Sequence, residues 1–217
     1  MLKITNLSAS IGDKQILNNV NIELPLGKCL LVTGQNGAGK STLLHTIMGR
    51  NDITATGEIY LDFSELHNMP CHERARAGVF LAHQAPPTID GVNTMTLFKE
   101  VQKANSLDIT TGELIKQVKG LTEEFGLPSD WSKRAFNNGA SGGERKKGEL
   151  MQAEILAKKT RLLLLDEPDS GLEQSSRQRI VSLISEACAS GASVMLVTHD
   201  KELQELYSAN KLDLSNA

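Results

Sequence analysis

The segment Gly34-Gln35-Asn36-Gly37-Ala38-Gly39-Lys40-Ser41-Thr42 constrains this chain more than any other. It fits the pattern G-x-x-x-x-G-K-[ST] in full, and its flanks agree with it. The apolar run Cys29-Leu30-Leu31-Val32 precedes it as a buried strand would. Lys40 to Met48 follows with Leu43, Leu44, Ile47 and Met48 on one side of a predicted helix. In such a strand–loop–helix the glycines let the backbone curl, so several N–H groups face one phosphate. The helix start adds partial positive charge. Lys40 then reaches the β- and γ-phosphates of a nucleotide, and the Ser41 hydroxyl is a ligand for Mg²⁺. The loop alone does not separate a kinase from an ATPase, or ATP from GTP.

The rest of the chain reads as α/β. Leu2 to Leu24 is strand-like, with loose alternation at Leu2, Ile4 and Leu7 and a turn at Gly12-Asp13-Lys14. Gly57 to Leu61, Val79 to Ala82 and Arg161 to Asp166 are further strands, and Val194 to Val197 is predicted as the last core strand. Thr94 to Ala157 is mostly helical, with polar breaks near Asp108 and near Pro128-Ser129-Asp130. Ser175 to Cys188 is an amphipathic helix with Ile180, Val181, Leu183 and Ile184 inward. Buried strands separated by helices predict a mostly parallel sheet covered on both faces, with the middle helical stretch inserted into it.

With 217 residues, 40% of them hydrophobic, the chain can bury a sizeable core. A net charge of −3 gives no electrostatic reason to expect nucleic acid or an anionic membrane surface. No apolar run is long enough to insert in a bilayer. Met1 to Asn6 has no signal-peptide core, so a cytoplasmic chain is expected. Cys29, Cys71 and Cys188 form no C-x-x-C, which predicts buried, reduced thiols.

Four more places carry chemistry. Leu162-Leu163-Leu164-Leu165-Asp166-Glu167 puts two acids at the C-terminal end of a buried strand, where open α/β sheets bind ligands. Asp166 is expected to hold Mg²⁺ through water, and Glu167 to polarise the attacking water as general base. His199 follows a strand within Thr198-His199-Asp200 and is expected at the γ-phosphate. Gln84 also ends a strand, and is placed to touch Mg²⁺ or the attacking water. Ala140-Ser141-Gly142-Gly143-Glu144 opens a long helix, and Ser141, Gly142 and Gly143 make a second anion cradle there. The following Arg145-Lys146-Lys147 reads as a solvated helix face.

The order phosphate loop, Gln84, Ser141-Gly142-Gly143, acid pair, Ser170-Gly171-Leu172-Glu173 and His199 resembles the ATP-binding-cassette (ABC) ATPase family over nearly the whole chain. The resemblance implies a P-loop ATPase head spanning residues 1–217 as one domain. It implies a mostly parallel core sheet, an N-terminal antiparallel β subdomain and an inserted helical subdomain. The core would cover about 1–85 and 158–217, and the helical unit about 86–157. It also implies ATP and Mg²⁺, and a transient ATP-dependent head-to-tail homodimer, or a pairing of two copies within a complex, with each ATP between Lys40 of one copy and Ser141 of the other.

Several segments resemble a narrower group, the SufC ATPases of SUF iron–sulfur cluster assembly. They are Met48 to Asp52, Glu73 to Gln84 with Pro86, Ile89, Gly91 and Val92, Gly143 to Lys147, and Glu167 to Leu172. That resemblance implies an energy-coupling ATPase working with a soluble SufB/SufD-like scaffold, with Arg74 to Val92 as the partner-facing edge of the insertion. Ile11 stands where transporter cassettes usually stack adenine on a tyrosine. His83, Ala85, Ala140 and Glu173 depart from the group's usual residues, and the chain stops soon after Lys211 to Leu214. The alternative is the nucleotide-binding subunit of an ABC membrane transporter. A DNA-repair ATPase would need a long coiled coil between the two glycine-rich motifs, and the sequence has none.

Overall fold

The computed structural model describes residues 1–216, apart from the side chains of Gln174, Ser175 and Asn216. Five strands form a wholly parallel sheet: β3 (Cys29–Thr33), β6 (Val79–Ala82), β7 (Leu162–Asp166), β8 (Ser193–Val197) and β9 (Lys211–Asp213), in the order β6-β7-β8-β3-β9. An antiparallel sheet combines β1 (Leu2–Ile11), β2 (Lys14–Leu24), β4 (Ile53–Leu61) and β5 (Ser64–Glu65), in the order β2-β1-β4-β5. The helices are α1 (Lys40–Met48), α2 (Cys71–Arg76), α3 (Thr94–Ala104), α4 (Thr111–Glu124), α5 (Gly142–Ile155), α6 (Gln174–Ala189) and α7 (Lys201–Leu206).

Two apolar cores lie against opposite faces of the parallel sheet, as the period of two in a strand requires. The four-leucine run divides between them. Leu162 and Leu164 join Met195, Val197, Val32, helix α1 and the inner face of the antiparallel sheet. Leu163 and Leu165 join Val194, Leu196, helices α5 and α6 and the helices between β6 and β7. This is the sheet covered on both faces that the sequence predicts.

The loose alternation in β1 has a physical cause. Ile4 pairs with Ile22 and Leu7 with Val20, so β1 carries one extra residue there. Asn6 lies at φ 51° within that bulge, which returns Leu7 to the buried face.

The register of the parallel sheet positions the site. Ala82 pairs with Leu165, Leu165 with Leu196, and Val197 with both Asp166 and Val32. The C-terminal ends of β6, β7, β8 and β3 therefore form one level edge. Gln84, Glu167, His199 and Gly34 all leave the sheet from it.

Three expectations need correction. Val194 to Val197 is not the last core strand, because β9 pairs with β3 beyond it. Arg74 does not face the inserted helices. It is 5% exposed, and its guanidinium donates to the carbonyls of Thr46, Ile47, His67 and Met69. Those of Thr46 and Ile47 belong to the last turn of α1, whose final carbonyls lack helical partners. The thiols are not all buried: Cys29 is, Cys188 is half-buried and Cys71 is exposed. Among the described residues, no helix is long and apolar enough to cross a membrane.

Candidate functional site

The phosphate loop turns directly from β3 into α1. Gly39 has φ 91°, and a Cβ there would lie 2.7 Å from Leu17 Cδ2. Only glycine gives both the left-handed backbone and the close approach of β2 to the loop. Lys40 is 8% exposed, and its ammonium donates to the carbonyls of Gly34 and Gln35 at 2.9 and 3.0 Å. Gln35, Asn36 and Gly37 are exposed, while Ala38, Ser41 and Thr42 are half-buried. Gln35 N donates to Ser215 Oγ at 3.3 Å, beside β9.

Ser41, in the first turn of α1, and Asp166, at the end of β7, come together. Ser41 Oγ donates to Asp166 Oδ1 at 3.1 Å. Asp166 is fully buried, and its Oδ2 is without a hydrogen-bond partner among the described residues. Burial pushes this carboxyl above its ordinary range, against the pull of the Ser41 hydroxyl and of His45. An unpartnered buried carboxylate oxygen beside a hydroxyl suits a hard divalent cation, whose ligands are oxygens. The donor set therefore fits Mg²⁺ with Ser41 and Asp166 nearest to it. Bound there, the ion would neutralise phosphate charge.

Glu167 leaves β7 at φ 48°, a left-handed backbone that costs a residue with a Cβ about 1–2 kcal/mol. Its peptide is fixed at both ends. Glu167 N donates to Val197 O at 2.9 Å, and the buried Lys146 ammonium donates to Glu167 O. The carboxylate is held as well. Gln84 Nε2 donates to Oε2 at 2.9 Å, and His199 Nε2 lies 3.3 Å from Oε1. The structure thus brings Gln84, Glu167 and His199 together, each from a different strand end. A carboxylate held by two exposed polar side chains can take up a water and receive its proton.

Lys146 corrects the reading of Arg145-Lys146-Lys147 as a solvated face. It is 6% exposed, and burial lowers its ammonium pKa while Asp169 and Glu167 raise it. Sequence reasoning also missed Thr198, whose hydroxyl donates to Asp169 Oδ1 at 2.7 Å and accepts from Asp200 N at 3.0 Å. The residue before His199 is thereby tied to the segment after Glu167.

Ser141 makes no hydrogen bond to this cluster among the described residues. It caps α5 in a capping box: its hydroxyl accepts from Glu144 N at 3.2 Å, and its own N–H donates to Glu144 Oε2 at 2.7 Å. Ser141 and Gly142 are exposed. Among the described residues, no hydrogen bond uses the amides of Gly142 and Gly143, and none joins residues 140–144 to the phosphate loop. The exposed helix start at Ser141 and the phosphate loop are thus not hydrogen-bonded to each other among the described residues.

This fold and site define a P-loop ATPase of the cassette type. A family profile described as ABC transporter matches residues 17–170, and the chain belongs to that family. It is an ATP-binding and ATP-hydrolysing ABC subunit. A probable ABC transporter ATP-binding protein of Streptococcus pyogenes serotype M18 is 34% identical, over 94% of this chain and 80% of its own length. A probable ATP-dependent transporter of Synechocystis sp. is 37% identical, over 84% of this chain and 72% of its own. Among solved structures, the ATP-binding subunit of an ABC transporter superposes with a TM-score of 0.81 at 24% identity, covering 95% of this chain and 82% of that one. A dimeric ATP-binding cassette in a post-hydrolysis state, bound to ADP and Pi, gives 0.78 at 22% identity, covering 94% and 90%.

Proposed function

We propose that this ATPase completes its catalytic site only by pairing head to tail with a second copy. The observation that carries this reading is that Ser141-Gly142-Gly143 opens α5 at an exposed place with no hydrogen bond, among the described residues, to a catalytic half gathered on one sheet edge. In the closed pair, the exposed start of α5 from one copy would meet the phosphates held by Lys40 of the other. Glu167 acts as general base, Gln84 and His199 as sensors that leave its carboxylate for water and the γ-phosphate, and Asp166 with Ser41 as the cation side. The division into a core, about 1–85 and 158–217, and a helical unit, about 86–157, belongs to the same proposal.

Its role in the cell is read as energy coupling for a soluble, cytoplasmic iron–sulfur cluster assembly scaffold of the SufB/SufD kind. The support is the resemblance of Glu73 to Val92 and of Glu167 to Leu172 to the SufC group. With Arg74 turned inward, the proposed partner-facing edge keeps the rest of that segment, Ala75 to Val92, without Arg74 itself. A second reading, the nucleotide-binding subunit of a membrane transporter, is favoured by the names of the relatives above.

Two measurements test these proposals. Light scattering of Glu167→Gln with ATP and Mg²⁺ should show twice the monomer mass; a monomer at saturating nucleotide overturns the shared site. Co-purification from native lysate should recover soluble scaffold proteins; stable recovery only with an integral membrane protein gives the transporter reading.

A further inference from the structure

Helix α5 carries a second buried ionisable residue that none of the motifs uses. Glu149 lies on the same face as Lys146 and is 6% exposed. Its Oε2 accepts from the backbone N–H of His83 at 2.9 Å. No ion pair of Glu149 occurs among the described residues. Burial pushes its carboxyl up to about 8, against the pull of the His83 amide and Lys146, while Asp166 adds to the rise. At neutral pH the group is therefore mostly uncharged.

An apolar side chain at this place would be cheaper for the fold than a buried carboxyl. What the carboxyl supplies is one acceptor at a particular point. Ala82 is the last residue of β6 paired to β7, so His83 N is the first amide beyond the sheet. The next residue is Gln84, whose side chain holds Glu167. Lys146, on the same face, holds the Glu167 carbonyl. One helix thus grips both sides of the Gln84–Glu167 contact, and that helix begins at Ser141.

We propose that Glu149 is a positioning residue for Gln84, anchoring the chain where it leaves β6 so that the Gln84 side chain stays in reach of Glu167 and the cation side. The inference rests on the role given to Gln84 above.

The test uses the full chain and the variants Glu149→Leu, Glu149→Gln and Gln84→Ala. Leucine keeps the packing and removes the acceptor; glutamine keeps an acceptor of nearly the same shape. Orphaning one buried amide is worth about tenfold in rate when the lost order falls in the transition state. Glu149→Leu should keep a melting transition at or above wild type, while its kcat falls about tenfold and its KM for ATP stays within about twofold. Its half-maximal rate should need more Mg²⁺, and Glu149→Gln should restore kcat and the Mg²⁺ requirement to within about twofold of wild type. Wild-type kcat in Glu149→Leu, or equal losses in Glu149→Leu and Glu149→Gln, overturns the inference. So does a kcat loss that only follows a lowered melting transition. Wild-type kcat in Gln84→Ala instead overturns the role of Gln84 on which the inference stands.

Discussion

Gln84 Nε2 donates to Glu167 Oε2 at 2.9 Å, although the two residues are far apart in sequence and leave neighbouring strands. The level edge of the parallel sheet makes this contact possible, because β6 and β7 pair in register up to Ala82 and Leu165. It also sets an expectation for Glu167→Gln. An amide in place of the carboxylate keeps the size of the side chain and removes its basicity. ATP affinity should stay close to wild type, while single-turnover hydrolysis slows by about 10²–10⁴-fold. Unchanged single-turnover rates would remove Glu167 from the chemistry.

Asp166 sets activity against stability. Its carboxyl is fully buried and half-satisfied, which disfavours the metal-free fold. Asp166→Asn should lower turnover at least about 100-fold. In the absence of metal the same variant should melt higher, by about 2–4 °C for each kcal/mol recovered. Calorimetry in EDTA beside a steady-state assay checks both halves.

Arg74→Ala should be costly to the fold. The guanidinium serves four backbone carbonyls around the end of α1; truncation leaves those of Ile47, His67 and Met69 without this donor, while Thr46 O keeps the Gly49 N–H. A loss of about 3–5 kcal/mol is expected in urea unfolding. A residue kept for partner docking would leave the unfolding midpoint unchanged.

Stability should also depend on pH through Glu149. Its folded-state pKa of about 8 lies above the ordinary 4.5, so the folded chain holds this proton more tightly than the unfolded chain does. The contribution is full below pH 4.5 and is lost as pH rises toward 8. Wild type should therefore lose stability relative to Glu149→Gln across that window. Parallel unfolding curves of the two proteins, measured at several pH values, would contradict the assignment.

Much of this was legible in the sequence because it is written in local patterns. Apolar runs mark β3, β6, β7 and β8, and the glycines and Lys40 mark the phosphate loop. Gln84, Glu167 and His199 could be placed because each follows a strand end. What stayed hidden depends on distant partners. β9 is short, with Lys211 and Asp213 exposed at the sheet edge, so no apolar run announces it. Lys146 looks like a surface charge until Glu167 turns at φ 48° and presents its carbonyl. Arg74 looks like a docking charge until α1 ends beneath it. Gly148, in the middle of a helix, is explained only by Trp131, whose ring would lie 2.4 Å from a Cβ there.

The claim that one site is built from two copies is tested most directly by mixing two inactive variants, Lys40→Ala and Ser141→Arg. In a mixed pair, one site carries both defects. The other joins the intact Lys40 of one chain to the intact Ser141 of its partner. Half of randomly formed pairs are mixed, so ATPase activity should rise to roughly a quarter of the wild-type rate. A mixture whose rate stays at the sum of its two components would contradict the shared site.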